Sequence, residues 1–258
     1  SGCSFTHAKG GYWRTADRLA GVSVELTPGM VCRRLDFRWP QTRAPAPPLL
    51  DAVEEVFSPG AVCLITGETG AGKSTLLHLL AGLLRPTAGE IWADGQPVSR
   101  WPARHRDPWR RQVGIVFQHL GLMTDLSVAE NLLPPLISRN WAWSQMQLEI
   151  QRRLIEAGLN QLADEPAHKL SGGQRQRLAI ARALAGGPRY VFADEPTAYQ
   201  DDHHAAQVVA QLTTVAHEGA VVVICSHDPR LKTSVAKIRL WHLEAAKLKE
   251  LVTGEAAQ

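Results

Sequence analysis

Gly67-Glu68-Thr69-Gly70-Ala71-Gly72-Lys73-Ser74 decides how this chain is read. The apolar run Val62-Cys63-Leu64-Ile65 precedes it, and a leucine series (Leu76, Leu77, Leu79, Leu80, Leu83, Leu84) follows it. Strand, glycine loop and helix in that order form the setting that the phosphate-binding pattern G-x-x-x-x-G-K-[ST] requires. Glycines let the backbone turn tightly enough to aim its N–H groups inward. The helix N-terminus adds free donors and partial positive charge. Lys73 is placed to reach terminal phosphates, and Ser74, followed by Thr75, to set its hydroxyl on Mg²⁺. Chance supplies the bare pattern in on the order of one such chain in a hundred, and the flanking elements reduce that further. Nucleotide binding is the expectation.

The bulk numbers set bounds around this loop. A chain of 258 residues suits one large domain, or a core with a subdomain. The formal charge of +3 is too mild to argue for a nucleic-acid partner. Cys3, Cys32, Cys63 and Cys225 form no C-x-x-C pair. Cys63 and Cys225 sit in strand-like apolar runs and read as buried thiols, which suits a reducing cytoplasm. Ala220–Cys225 is the longest apolar candidate and has strand length, far below the ~20 residues of a membrane span. No secretory core is visible near the start. Work at a membrane would therefore go through a partner.

Along the chain, residues 1–29 read as an extension of unknown role, with Ser1-Gly2 in place of an initiating Met suggesting a processed start or a tag remnant. Val22–Leu26 alternates like a short strand, as does Leu35–Trp39. Leu26–Cys32 echoes Phe57–Cys63 once, which makes no repeat. Pro40–Pro48 reads as an extended surface loop, and Leu49–Phe57 as a strand closed by Ser58-Pro59-Gly60. The leucine-rich helix is expected to run to Arg85-Pro86. Glu90–Ala93 enters a hairpin turn at Asp94-Gly95. Arg104–Arg111 reads as a solvated basic face, and Val113–Phe117 as a buried strand ending at Gln118. From there to residue 187 the pattern is mainly helical. Ser144–Ala157 carries Met146, Ile150 and Leu154 at helical spacing, and Ser171-Gly172-Gly173 opens a helix through Leu184. Tyr190–Ala193 is a buried strand. Asp201-Asp202 caps an amphipathic helix that ends at Gly219, and Ala220–Cys225 is the next strand. Alternating strands and helices predict an α/β core with a helical insertion between Gln118 and Gly187.

Two further motifs carry chemistry. Asp194-Glu195 ends an apolar strand, the Walker B arrangement, in which Asp194 holds Mg²⁺ and Glu195 acts as general base on water. Leu170-Ser171-Gly172-Gly173-Gln174 places a glycine pair at a helix start, another anion site. With the phosphate loop upstream and Asp194-Glu195 downstream, this pentapeptide resembles the signature sequence of the ATP-binding cassette (ABC) ATPases, over about residues 32–245.

The resemblance implies a P-loop NTPase (RecA-like) α/β core with an N-terminal antiparallel β subdomain and an inserted helical signature subdomain. It implies one cassette over residues 30–250, with the helical subdomain within 118–187, and a C-terminal tail at 251–258. It implies that Gln118 is the Q-loop glutamine at the metal, that His227 is the switch histidine at the γ-phosphate, and that Trp39 stacks on adenine. Asp201 resembles the D-loop aspartate that crosses a dimer interface. Ser171, Gly172, Gly173 and Gln174 would close the nucleotide of an opposite subunit, either a second copy or a paralogous cassette, so that two chains sandwich two ATPs head to tail. Pro196-Thr197-Ala198-Tyr199-Gln200-Asp201 departs from the common P-T-G-N-L-D, and Glu244–Leu248 lacks the usual hairpin glycine.

Four kinds of cassette compete. A DNA-acting one would insert long coiled coils, whereas the roughly hundred residues between loop and signature show no sustained heptads. A ribosome-acting one would carry two cassettes. A nucleotide-gated scaffold with little hydrolysis is opposed by Glu195 and His227 and kept open by the altered D-loop. The fourth is the ATPase subunit of a membrane transporter, and Val116–Leu136 is similar to the lipoprotein-release, macrolide-export and cell-division cassettes. That reading implies ATP and Mg²⁺ as cofactors, integral membrane permease subunits as partners, no nucleic acid, and a peripheral place on the cytoplasmic face of the inner membrane. Leu122, Met123 and Leu136 are expected to line a groove behind Gln118 for a permease helix. His203-His204 diverge on a helix and make a poor metal pair. Trp141 and Trp143 read as packing, with contact to a membrane or partner the alternative.

Overall fold

The computed structural model describes residues 28–40, 47–234 and 238–251. The expected strand at Val22–Leu26, the middle of the proline-rich loop, Cys3 and the end of the C-terminal tail lie outside the described residues. In chain order the elements are β1 (Met30–Phe37), β2 (Leu50–Phe57), β3 (Val62–Thr66), α1 (Lys73–Leu80), β4 (Ala88–Ala93), α2 (Ala103–Arg110), β5 (Val113–Val116), α3 (Leu133–Ile137), α4 (Trp143–Glu156), α5 (Gly172–Leu184), β6 (Tyr190–Asp194), α6 (Asp202–His217), β7 (Val221–Cys225), α7 (Pro229–Ser234), β8 (Ile238–Glu244) and β9 (Lys247–Leu251).

Among them two sheets form, a three-stranded one in the order β2-β1-β4 and a six-stranded one in the order β5-β6-β7-β3-β8-β9. The smaller sheet is antiparallel. In the larger, β5, β6, β7, β3 and β8 run parallel and β9 returns antiparallel from β8. The central parallel strands β3, β6 and β7 are apolar on both sides because both faces are covered. Tyr190, Phe192, Val221, Val223, Cys63 and Ile65 point to one face, under α1 and the antiparallel sheet. Val191, Ala193, Val222, Ile224, Val62 and Leu64 point to the other, under α5 and α6. A third core sits in the helical insertion, where Val128, Leu132, Leu136, Leu154 and Leu159 pack together. Helix α5 serves two cores, with Leu178 and Ala181 facing the insertion and Ile180 and Leu184 facing the sheet.

The structure corrects several expectations. Strand β1 begins at Met30 and stops at Phe37, so Trp39 lies beyond it. Its alternation breaks at a bulge, where Arg34 takes φ +47° and the register slips against both neighbours. Helix α1 ends at Leu80, short of the leucine run. Gly82, at φ +68°, closes it with bonds from Gly82 N–H to Leu79 O and from Leu83 N–H to His78 O, the Schellman pattern. Asp94-Gly95 does turn, with one bridge between Ala93 and Gln96, but no strand returns from it. Asp94 instead ties the two sheets together, accepting from Gly29 N–H (2.8 Å), Arg189 Nη2 (3.0 Å) and Tyr190 OH (2.7 Å). The basic run is helix α2, and its Trp109 is buried. Leu136 is fully buried in the helical core and so does not line the groove expected of Leu122, Met123 and Leu136.

The last hairpin makes its two-residue turn without glycine. Ala245 (φ +47°) and Ala246 (φ +65°) both adopt the left-handed conformation, at a cost of roughly 1–2 kcal/mol each. Asp51 holds the turn, donating its N–H to Ala246 O (2.9 Å) and pairing with Lys247 (2.8 Å). Among the described residues Cys32, Cys63 and Cys225 are free and buried. Burial pushes the thiols of Cys32 and Cys63 up to about 12, which makes them inert.

Candidate functional site

The phosphate loop leaves the end of β3 and turns into α1. Gly67 takes φ +146°, and a Cβ there would lie 2.3 Å from Leu243 O, so only glycine lets the loop pass under β8. Gly72, at φ +106°, is the N-cap of α1, and a Cβ on it would press on Leu49 at 2.9 Å. Lys73 follows and is 8% exposed. Its ammonium donates to Gly67 O (2.7 Å) and Glu68 O (2.8 Å) and sits 3.0 Å from His227 Nε2. These partners are a carbonyl pair and an imidazole, with no carboxylate among them. A buried cation held only by dipoles suits an incoming polyanion.

Neighbouring strand ends bring the remaining groups to the same place. Asp194 closes β6 and is 7% exposed. Glu195 takes φ +48°, an uncommon conformation for a residue with a side chain. Its N–H donates to Cys225 O (2.8 Å), and its carboxylate accepts from Ser226 Oγ (2.6 Å) and His227 N–H (3.1 Å). From α5, Gln176 donates its amide to Glu195 O (3.2 Å) and Pro196 O (3.0 Å). Gln118 follows β5, two residues past its last strand residue. Trp39 is half exposed and meets Phe37 edge to face at 5.1 Å.

One cleft of about 310 Å³ is lined by Trp39, Leu49, Thr69, Gly70, Gly72, Lys73, Ser74, Thr75, Gln118, Asp194, Glu195 and His227. Most of the expected site thus converges. Glu68 and Ala71 line a second hollow on the far side of the loop, beside the Ala245-Ala246 turn. The hydroxyl of Ser74, the amide of Gln118 and the carboxylate of Asp194 supply hard oxygen donors to one cleft, a set that fits Mg²⁺.

The signature residues and Asp201 are not part of that cleft. Ser171 is the N-cap of α5, accepting from Gln174 N–H (3.3 Å), while its own N–H donates to Gln174 Oε1 (2.8 Å), a capping box. Gly172 and Gly173 form the first turn, so their N–H groups have no partner within the helix. Asp201 caps α6, accepting from His204 N–H (2.8 Å). His204 sets its Nδ1 2.8 Å from Asp201 Oδ1, and its ring meets that of His203 edge to face at 5.5 Å, so the two imidazoles do not diverge as expected.

The ABC transporter family profile matches residues 50–198. The chain belongs to the ABC transporter family.

As a member of that family it is an ATP-binding, ATP-hydrolysing cassette subunit. It is 36% identical over 182 residues to the cell division ATP-binding protein FtsE of Escherichia coli (strain K12), covering 70% of this chain and 82% of that protein. It is 34% identical over 193 residues to the lipoprotein-releasing system ATP-binding protein LolD of Syntrophotalea carbinolica, covering 74% of this chain and 85% of the relative. Against the methionine import ATP-binding protein MetN of Carboxydothermus hydrogenoformans it is 32% identical over 80% of its length but spans 61% of that relative. Among solved structures, the ADP- and phosphate-bound dimer of the ATP-binding cassette MJ0796 superposes with a TM-score of 0.79 at 27% identity, over 86% of this chain and 99% of that one.

Sequence reasoning passed over Leu49, Gln176 and the role of Ser226. Gln176 had a visible signal: it is a polar residue three and four positions before Ala179 and Ile180, on an apolar helix face.

Proposed function

We propose that the cleft is one half of a composite ATPase site, completed by the signature turn of a second cassette docked head to tail. The observation that carries this is the separation. Trp39, Lys73, Ser74, Gln118, Asp194, Glu195 and His227 line one cleft, while Ser171, Gly172, Gly173 and Gln174 present a second anion site elsewhere on the same chain. Asp201 then lies at the dimer interface. The printed description of the MJ0796 structure as dimeric supports the same arrangement.

In this reading Trp39 stacks on adenine, and residues 67–75 wrap the phosphates with Lys73 neutralising the β and γ charges. Ser74, Gln118 and Asp194 hold Mg²⁺, which when bound offsets charge on the transferred phosphoryl group. Glu195 exchanges its bond to Ser226 for a water and takes that water's proton as its oxygen attacks the γ-phosphorus. ADP leaves as the bridging P–O bond breaks. His227 senses the γ-phosphate, releasing Lys73 to it. ATP binding favours the closed dimer and hydrolysis reopens it, a population shift driven by differential affinity.

The work is delivered to an integral membrane partner, with the cassette peripheral on its cytoplasmic face. Relatives named for lipoprotein release, cell division and methionine import support that class of partner. The surface offered is on the helical subdomain. Trp143, Leu148 and Ile155 of α4 are exposed, beside a groove of about 600 Å³ lined by Leu133, Ile150 and Leu154. This replaces the groove expected behind Gln118.

A pull-down from detergent-solubilised native membranes tests the reading, with Glu195→Gln and ATP as bait. An integral membrane protein is expected to co-purify, and less of it with Trp143→Asp. Recovery of ribosomes or DNA in its place would overturn the transporter reading.

A further inference from the structure

Gln200 stands in the segment that departs from the common D-loop pattern, and it is 9% exposed. Its Nε2 donates to Gly173 O at 2.9 Å, bonding the D-loop to the signature turn of the same chain. Its Oε1 is buried and meets no donor among the described residues. A buried amide with one unmet atom is a poor packing choice, because an apolar side chain of the same length would avoid that penalty. The amide is explained by the bond it makes. Beside it Tyr199, 82% exposed at φ +61°, stands over the glycine pair, its Cβ 3.9 Å from where a Cβ on Gly172 would lie.

From Gln200 a continuous set of bonds runs to the hydrolytic end of the chain's own cleft. Gln200 O accepts from Arg230 Nη1 (3.2 Å), and Arg230 Nε reaches both oxygens of Asp228 (2.9 Å). Asp228 N–H donates to Ser226 Oγ (3.1 Å), which donates to Glu195 Oε2 (2.6 Å). Gln176 closes the loop from α5 to the Glu195 backbone. A contiguous network of side-chain bonds of this kind can carry coupling between the segments it joins.

We propose that Gln200 is a positioning residue for hydrolysis: it couples Gly173, which faces the partner's ATP, to Glu195 of its own site, so that the two sites of the dimer act together. This rests on the head-to-tail dimer proposed above.

The test compares ATP-dependent turnover of the wild-type chain, Gln200→Met and Gln200→Glu, with binding of a fluorescent ATP analogue measured separately. Gln200→Met keeps the length without polar atoms; Gln200→Glu keeps the shape and the acceptor but loses the donor. The wild-type chain is expected to show a Hill coefficient near 2, and both variants a coefficient near 1 with kcat lower by about tenfold and nucleotide affinity within about twofold. Unchanged affinity shows that each variant is folded and its phosphate loop intact. A coefficient near 2 with kcat within about twofold of wild type in either variant would overturn the coupling while leaving the dimer standing. A coefficient of 1 in the wild-type chain would likewise overturn the coupling, and sedimentation of Glu195→Gln with ATP and Mg²⁺ then tells whether the head-to-tail dimer itself stands.

Discussion

The phosphate loop and the D-loop leave strands that flank β7 in one sheet, yet they are held in opposite ways. The phosphate loop is shaped by its backbone. Gly67 and Gly72 take conformations that side chains disfavour, and the neighbouring chain fills the space a Cβ would need. The segment Thr197–Asp201 is shaped by side chains, with Gln200 bonded to Gly173, Thr197 Oγ1 donating to Asp228 Oδ2 at 2.6 Å, and Arg230 reaching the Gln200 carbonyl. A loop built from backbone geometry tolerates almost no substitution and leaves a rigid sequence pattern. A loop built from side-chain bonds can change its residues and keep its place, so its departures carry information about coupling rather than about binding.

Substitutions at the two loops should therefore separate affinity from turnover. The largest effect is expected from Lys73→Ala, which removes the buried ammonium at the phosphates. ATP affinity should fall by on the order of a hundredfold or more, measured by calorimetry. Retained affinity would mean that the loop amides alone hold the nucleotide. Next, Glu195→Gln should lower turnover by on the order of 10²–10⁴ with ATP affinity within about twofold, because only proton acceptance is lost. Normal turnover in this variant would remove Glu195 as the base.

Ser171→Ala sharpens the contrast from the other side. Loss of the N-cap costs about 1 kcal/mol of stability, and turnover should fall while single-site ATP affinity holds. A fall in affinity instead would place the signature turn in the chain's own site. Trp39→Ala should weaken ATP binding by about three- to tenfold, the worth of one aromatic stack. Unchanged affinity would return Trp39 to a packing role beside Phe37. The smallest effect lies at the last hairpin, where Ala245→Asn with Ala246→Gly relieves two left-handed alanines. The melting temperature should rise by a few degrees without change in turnover.

The same contrast sets what could be read from the sequence. Gly67–Ser74, the acid pair closing β6 and the span of α5 from Ser171 to Leu184 were legible, because each is fixed by local backbone demands: glycine turns, an apolar run and a capping residue. Expectations failed where tertiary contacts decide. The leucine run continued past the point where Gly82 ends α1 under the Trp109 ring. Asp94-Gly95 carried hairpin residues, but Arg189 and Tyr190 recruited Asp94 to join the sheets. The leucines behind Gln118 read as a groove, while Leu136 was needed to fill the helical core. Gln176, Arg230 and Asn131 escaped notice since their bonds reach loops that no spacing rule connects. Asn131, for example, clamps the turn after Gln118 with bonds to Met123 N–H (2.9 Å) and Met123 O (3.0 Å).

The central claim is that ATP is held between two copies of this chain, or between it and a paralogous cassette, with the phosphate loop of one facing the signature turn of the other. Sedimentation of purified Glu195→Gln with and without ATP and Mg²⁺ tests the homodimeric form most directly. The expected result is a monomer without nucleotide and a doubling of mass with ATP, abolished by adding Lys73→Ala. A mass that stays monomeric while calorimetry reports ATP bound would contradict it, and the cleft would then be a complete nucleotide site within one chain.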